Sequence, residues 1–471
     1  MYMNMKSVSK FGLCLLSALA LNVFAQDDWA GKDLNVSFSN KRIDGFNFKN
    51  AKAVAHTTDF RRATGEGPIF TGAKLDEVSF QNAVISGASF ENASLVKATI
   101  SGADIRSSSF EGANLEEANL YRATLLDSHF PKANLKNARL DAMKVSDKTD
   151  FSKADLTQAS VMDVDLTAAD FSKANLTHAN FSRSLMANSD LRKATIVKTD
   201  FTACNLIAAN FKGVDLIDVN FAKAGLSQAN FSGVEFKNVN LKEADLSLTT
   251  FNDVDLSKTQ LQKAKFAQST VKNMKFDNQD LTGVVFDKGS VSKNSFIKSK
   301  LSKTSFYDTE VSKNSFQNAE LLKAVFDGAY VRKDIFDKAD LTKANFANST
   351  IERSDFILAQ MTGVSFAGAK LIKVNFTNAN MQGIKIDADT KMEDVDFSGA
   401  NLEGAKIEKF TAKKVIYDNK TVFPSGFDPR QYGFTKRGEK AADIKVEGKK
   451  GDEDQPKKKK RKKRKSEDDD E

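Results

Sequence analysis

Every fifth residue of this chain is apolar over most of its length, and few folds can satisfy that pattern. From Phe70 to Val145 the apolar positions recur at intervals of five, sixteen in all. After one inserted residue the series resumes at Phe151 and runs unbroken to Ile386, forty-eight more. A second slip of one residue leads to Met392, Phe397, Leu402 and Ile407. These 68 consecutive centres stand in a chain that is only 41% hydrophobic. A helix repeats every 3.6 residues and a strand every 2, so neither alone produces a period of five. A chain that bends after each short extended piece does. Its large residue points inward, as does the small residue two positions before it, such as Ala113, Ala118, Ala123 or Ala133. The other three positions of each five are polar and face solvent.

Four such sides close a coil of twenty residues, and a second period in the sequence agrees. Val291-Ser-Lys-Asn-Ser-Phe296 recurs twenty residues later as Val311-Ser-Lys-Asn-Ser-Phe316. From Phe266 to Phe376 the centre is Phe at every tenth residue, twelve in succession. Between them Leu281, Leu301, Leu321 and Leu341 alternate with Val291, Val311, Val331 and Ile351. Phe thus fills two opposing sides and smaller aliphatics the other two, which accounts for 37 Phe in the chain. Identical side chains stacked at strand spacing pack without voids.

The units Ala113-Asn-Leu-Glu-Glu, Ala154-Asp-Leu-Thr-Gln, Ala174-Asn-Leu-Thr-His and Ala339-Asp-Leu-Thr-Lys resemble the A-(D/N)-L-x-x consensus of the pentapeptide-repeat family. The resemblance implies an all-β fold, a right-handed quadrilateral parallel β-helix. Seventeen coils at about 4.8 Å each make a rod roughly 80 Å long. It also implies two function classes, a binding or structural scaffold, or a DNA-shaped inhibitor or protector of a topoisomerase. The latter relies on an acidic surface.

The organisation expected along the chain is fivefold. Residues 1–25 read as a secretory signal: Lys6 and Lys10 precede an apolar run from Phe11 to about Leu21, and Val23-Phe24-Ala25 offers small residues for cleavage. That run is too short to span a bilayer comfortably, and an exported, periplasmic or secreted protein follows. Residues 26–69 keep the spacing at Phe38, Ile43 and Phe48 but lose it from His56 to Pro68, an imperfect coil followed by a surface loop. Residues 70–410 are the β-helix, with a bulged corner at each one-residue slip. Residues 411–434 resemble the closing segment that caps an otherwise open sheet edge. Residues 435–471 carry fifteen basic and eleven acidic side chains and no core, so disorder is expected.

Charge narrows the function. The chain carries +8 formally, yet residues 26–434 are only +2. The strongest interaction signal is the tail run Lys457, Lys458, Lys459, Lys460, Arg461, Lys462, Lys463, Arg464 and Lys465, followed by Ser466 and five acids. After a secretory signal its expected partners are a protein or an anionic envelope or surface polymer, such as lipid headgroups, lipopolysaccharide or acidic glycans. No aromatics interleave the run for base stacking, which argues against nucleic acid; a solubilising tail is the plain alternative. Two more patterns stand out. The small inward column becomes polar at Asn294, Asn314 and Asp334, twenty residues apart, as an amide ladder or an ion site would require. Outward, Lys293, Lys313 and Lys333 share one side and Lys303, Lys323 and Lys343 the opposite one, either a solvated face or an anion-binding one.

No catalytic or cofactor site is expected. The three histidines, His56, His129 and His178, are dispersed, whereas metal sites need clustered ligands. Cys204 falls in the small inward column as a space-filler, and no phosphate-binding glycine loop is present. The recurrent Asp and Asn belong to the repeat.

Overall fold

The computed structural model describes residues 28–439. They form a single parallel β-solenoid of about 20 turns, with no α-helix. Four bridges occur per coil, as in Ile69 to Ser89, Lys74 to Ser94, Ser79 to Thr99 and the strand pair Val84–Ser86 with Asp104–Arg106. The cross-section is therefore four-sided, and the period of five is one side.

The corner explains the period. Each centre turns the chain through a tight bend whose third residue sits at φ near +60°, for example Asn92 (55°), Lys153 (60°) and Gly112 (64°). The following small residue then donates its N–H to the centre's carbonyl, as Ala113 does to Phe110 at 3.0 Å. Asn and Gly tolerate this left-handed backbone best. Side chains there point outward, so Lys, Asp and Gln are accepted too. The centre's own N–H reaches the next coil, as from Phe90 to the Ser109 carbonyl at 2.7 Å.

Phe rings stack down the core one coil apart, Phe90 on Phe110 and Phe316 on Phe336 each at 4.7 Å and nearly parallel. Opposing stacks meet edge to face, Phe70 to Phe80 at 5.7 Å and 88°. The stacks change sides midway. In the N-terminal half Phe fills the sides of Phe110, Phe130, Phe151 and Phe171 and, opposite, of Phe181, Phe201 and Phe221. From Phe266 and Phe276 onward it fills the other two.

At that crossing the ladder is interrupted. Among the described residues, nothing bridges the strand Glu235–Lys237 to the next coil, and its three-stranded sheet ends there. The ten-stranded sheet begins at Thr250–Asn252. The other two sides remain joined, Asn240 to Gln260 and Asp245 to Lys265. Two packing features accompany this seam. Phe231 and Phe251 stack on one side, and Phe236 on the adjacent side meets both tilted, at 5.5 and 6.2 Å and about 55°. One coil later Met274 and Gln279 put long side chains in the column reserved for small ones.

The N-terminal region departs from the sequence expectation. Residues 28–69 carry coils of the same solenoid, with Leu34, Phe38, Ile43, Phe48 and Phe60 buried. The segment from His56 to Pro68 is not a loop. Two extra residues at 54–58 lengthen the coil, so Lys52 bridges Lys74, twenty-two residues on. Gly65 then stands at a centre, and Ile43 fills the space its missing side chain leaves. Both features hide the count of five without breaking the hydrogen-bond ladder. The extra residue after Val145 falls at a corner, as expected, and Asn134 bridges Asp155 across it.

The closing segment is itself a last coil. Thr411–Tyr417 pairs in parallel with Lys391–Asp396, and Thr435–Lys436 with Ile416 and Tyr417. Phe423, Phe427, Tyr432 and Phe434 stack over the open end around Phe397 and Phe410. Residues 1–25 and the Lys457–Lys465 run lie outside the described residues.

Candidate functional site

The polar column at Asn294, Asn314 and Asp334 is an axial ladder. Asn294 and Asn314 each donate Nδ2 to the Oδ1 of the next residue in the column, at 3.0 and 2.9 Å. Each also donates to a centre carbonyl of the preceding coil, Val271 and Val291, at 3.0 and 2.9 Å. The backbone N–H groups of Met274, Asn294 and Asn314 donate to the Oδ1 atoms of Asn294, Asn314 and Asp334 respectively. These side chains therefore supply what an Ala at other corners leaves to the backbone. Ser and Thr do the same elsewhere: Ser128 Oγ donates to the Ile105 carbonyl and Thr199 Oγ1 to that of Leu176.

Asp334 ends the amide run. Its Oδ1 accepts from Asn314 twice, its Oδ2 accepts from the Arg332 N–H at 2.9 Å, and its own N–H donates to Ser354 Oγ. Burial pushes its carboxyl up to about 7, against those three donors, which hold it down. Every polar atom of the two amides is used within the column, so the column offers no open ligand position.

The remaining candidates separate. Cys204 is buried with Sγ 2.7 Å from the Phe181 carbonyl, and burial pushes its thiol up to about 12, which leaves it an inert filler. His129 and His178 are exposed on different coils, and His56 lies in the 54–58 irregularity. Among the described residues no group of three or more His, Cys, Asp or Glu could hold a metal ion. A shallow depression of about 310 Å³ beside Gly65 is lined by Glu66 and by two ion pairs, Arg42 with Asp44 and Arg106 with Asp104. No described helix is long and apolar enough to cross a membrane.

Outward charge is distributed unevenly along the axis, which totals over the whole body conceal. Residues 28–255 carry twenty-six basic and twenty-nine acidic side chains, a net of −3. Residues 256–386 carry twenty against twelve, a net of +8. The boundary falls at the seam. The Lys293, Lys313 and Lys333 set occupies one corner column and the Lys303, Lys323 and Lys343 set the opposite one, all exposed and at φ of 58–60°.

A ladder of five-residue sides with inward Ala and Leu, interrupted on two sides at the seam, defines a repeat solenoid. Family models for pentapeptide repeats match residues 73–112, 108–142, 147–183, 169–206, 184–222 and 359–383, and a pentapeptide repeat region matches residues 208–286. The chain belongs to the pentapeptide-repeat family. Residues 287–358, where the small column turns polar and the corners turn basic, fall outside those matches. No curated protein matches the sequence.

Several solved structures are similar. HetL, a pentapeptide repeat protein involved in heterocyst differentiation regulation in the cyanobacterium Nostoc sp., is 23% identical with a TM-score of 0.24, over 48% of this chain and 94% of its own. A pentapeptide repeat protein of the Arabidopsis thaliana thylakoid lumen is 28% identical with a TM-score of 0.17, over 23% of this chain and 69% of its own. QnrB1, a plasmid-mediated fluoroquinolone resistance protein, is 14% identical with a TM-score of 0.20, over 51% and 89%.

Proposed function

We propose that this chain is an exported, non-enzymatic scaffold whose rod presents flat sides to a protein or polyanionic partner, while Lys457–Lys465 adds electrostatic attachment. The observation that carries the scaffold reading is the closed core. The ladder pairs within its own column, the Phe rings stack on one another and Cys204 Sγ meets the Phe181 carbonyl, so the chemistry available to a partner is on the outside. The apolar segment before Ala25, preceded by Lys6 and Lys10, supports export. A surface imitating DNA needs an anionic rod; the net +8 of residues 256–386 weighs against that reading.

Two experiments test the proposal. Fractionation of tagged full-length protein beside a version lacking residues 1–25 should place only the former beyond the exporting membrane. Replacing the nine basic residues of Lys457–Lys465 by Ser should weaken attachment to anionic vesicles or acidic polysaccharide. The wild type's attachment should fall steeply with salt, because screening shortens the reach of exposed charges to about 8 Å at physiological strength. Removing Glu467 to Glu471 should strengthen it. A truncation belongs after Glu439, since Thr435–Lys436 still pairs with the last coil. Equal attachment with and without the tail charges would reduce the tail to a solubilising device.

A further inference from the structure

One corner of the rod carries an axial row of cations that neither the repeat nor the core requires. Lys293, Lys313, Lys333, Arg353 and Lys373 occupy the same left-handed corner position in five successive coils, at φ between 53° and 59°. The register is fixed by the backbone: the N–H of Lys293 donates to the Ser312 carbonyl, Lys313 to Arg332, Lys333 to Glu352 and Arg353 to Ile372, at 2.9–3.0 Å. All five side chains are exposed. Among the described residues only Arg353 has an ion-pair partner, Glu352 at 3.2 Å. Directly behind the row lies the column of Asn294, Asn314, Asp334 and Ser354, which ties each corner to the next from inside.

The same corner carries Lys132, Lys153, Lys173 and Lys193 nearer the N-terminus, before Gly213, Gly233, Asp253 and Asn273 interrupt it across the seam. The opposite corner is mixed in comparison. There Lys303, Lys323 and Lys343 are flanked by Gly283 and Gly363, and the column includes Asp163 and Glu243 further down. Like charges about 4.8 Å apart repel one another even in water. Glycine or asparagine would fit this backbone better. The row is therefore costly to hold without a counter-anion.

We propose that the Lys293–Lys373 corner binds a linear acidic polysaccharide lying along the rod axis, an inference that rests on the polyanion-binding reading above and places part of that binding on the rod. The geometry favours a thin chain bearing one carboxylate per sugar ring, since a pyranose linked 1,4 advances by about one strand separation. Duplex nucleic acid presents about one charge per 1.7 Å and winds its phosphates away from a fixed edge. A membrane surface would press on both flanking sides, where Glu310 and Glu352 lie before the corner and Asp337 and Asp355 after it. A thin chain meets the corner alone.

The test uses the full chain and polygalacturonate as the probe, with duplex DNA and phosphatidylglycerol vesicles alongside. One variant replaces Lys293, Lys313, Lys333 and Lys373 by Asn, which adopts the corner conformation. A matched control makes the same change at Lys263, Lys303, Lys323 and Lys343. A third replaces the basic residues of Lys457–Lys465 by Ser. The corner variant should lose about tenfold in affinity and show a shallower salt dependence between about 50 and 200 mM. The control should change by no more than about twofold, and a version of the corner variant carrying Arg instead of Asn should retain binding. Equal losses in corner and control variants would overturn the inference. So would loss in the tail variant alone, though the tail reading would then stand. No binding by the wild type would sink both. A corner dependence stronger for DNA or vesicles than for polygalacturonate would overturn the partner class.

Discussion

Asn314 Nδ2 lies 2.9 Å from Oδ1 of Asp334, its neighbour twenty residues on and one coil along the axis. This contact joins an amide that needs an acceptor to a carboxyl that has no cation beside it. The stability of the C-terminal half consequently depends on pH. Burial raises the Asp334 carboxyl from 3.8 to about 7 in the folded rod. Between those values the folded state holds a proton that the unfolded state has released. The free energy of unfolding therefore falls as pH rises through that window, by on the order of 1 kcal/mol per unit. Asp334→Asn extends the amide run and removes the ionisable group. Its denaturation midpoint should match the wild type near about pH 4 and exceed it near about pH 8. A wild type whose midpoint rises over that range would contradict the assignment.

Asn314→Leu tests the ladder from the other side. It leaves the Val291 carbonyl without its side-chain donor and the Asn294 amide without its acceptor. A loss of about 1–3 kcal/mol is expected in chemical denaturation. Added divalent metal or small anions should leave the melting temperature of the wild type unchanged, because the column offers no open position. A saturable shift that disappears in Asp334→Ala would show an ion site instead.

The core makes a simpler demand. Phe316 is fully buried between Phe296 and Phe336, at 4.8 and 4.7 Å. Phe316→Ala should cost about 3–5 kcal/mol by leaving a cavity in the stack. Lys313→Ala, outward on the same coil, should stay within about 0.5 kcal/mol. Comparable losses would contradict the inward and outward assignment.

The seam predicts where the rod opens first. A solenoid's cooperativity passes through nearest-neighbour interfaces, and the coils on either side of residues 231–258 share two joined sides instead of four. Amides in that span should exchange faster than those of residues 286–346, and partial unfolding should separate the two halves. Gln279→Ser addresses one cause. The Gln279 Oε1 is buried without a partner, and a Ser hydroxyl keeps a donor near the Leu256 carbonyl, as Ser269 does for Leu246. Stability should rise by about 1 kcal/mol, with slower exchange across the seam. Uniform exchange along the rod would remove the seam as a mechanical feature.

The period of five, the coil of twenty and the identity of the inward residues were decided by the sequence alone. Each is set by which side chains tolerate water, and that preference repeats locally every few residues. The sequence also contained Asn294, Asn314 and Asp334 at matching positions, and an axial ladder followed because equal spacing in a fixed coil means vertical alignment. Other features depended on three-dimensional context. Residues 54–69 belong to the solenoid because hydrogen bonds between coils survive two extra residues and a centre at Gly65, which a count along the chain does not. The seam arises where Phe stacks on one pair of opposing sides give way to stacks on the other, a conflict between coils rather than within a repeat. The row of Lys293, Lys313, Lys333, Arg353 and Lys373 was only partly legible. Its first two members repeat a motif and Lys333 follows at the same spacing, but the alignment of Arg353 and Lys373 with them, and of Lys132 to Lys193 on the same corner across the insertion after Val145, is decided by the backbone register. Charges far apart in sequence act together only when coils place them one strand separation apart.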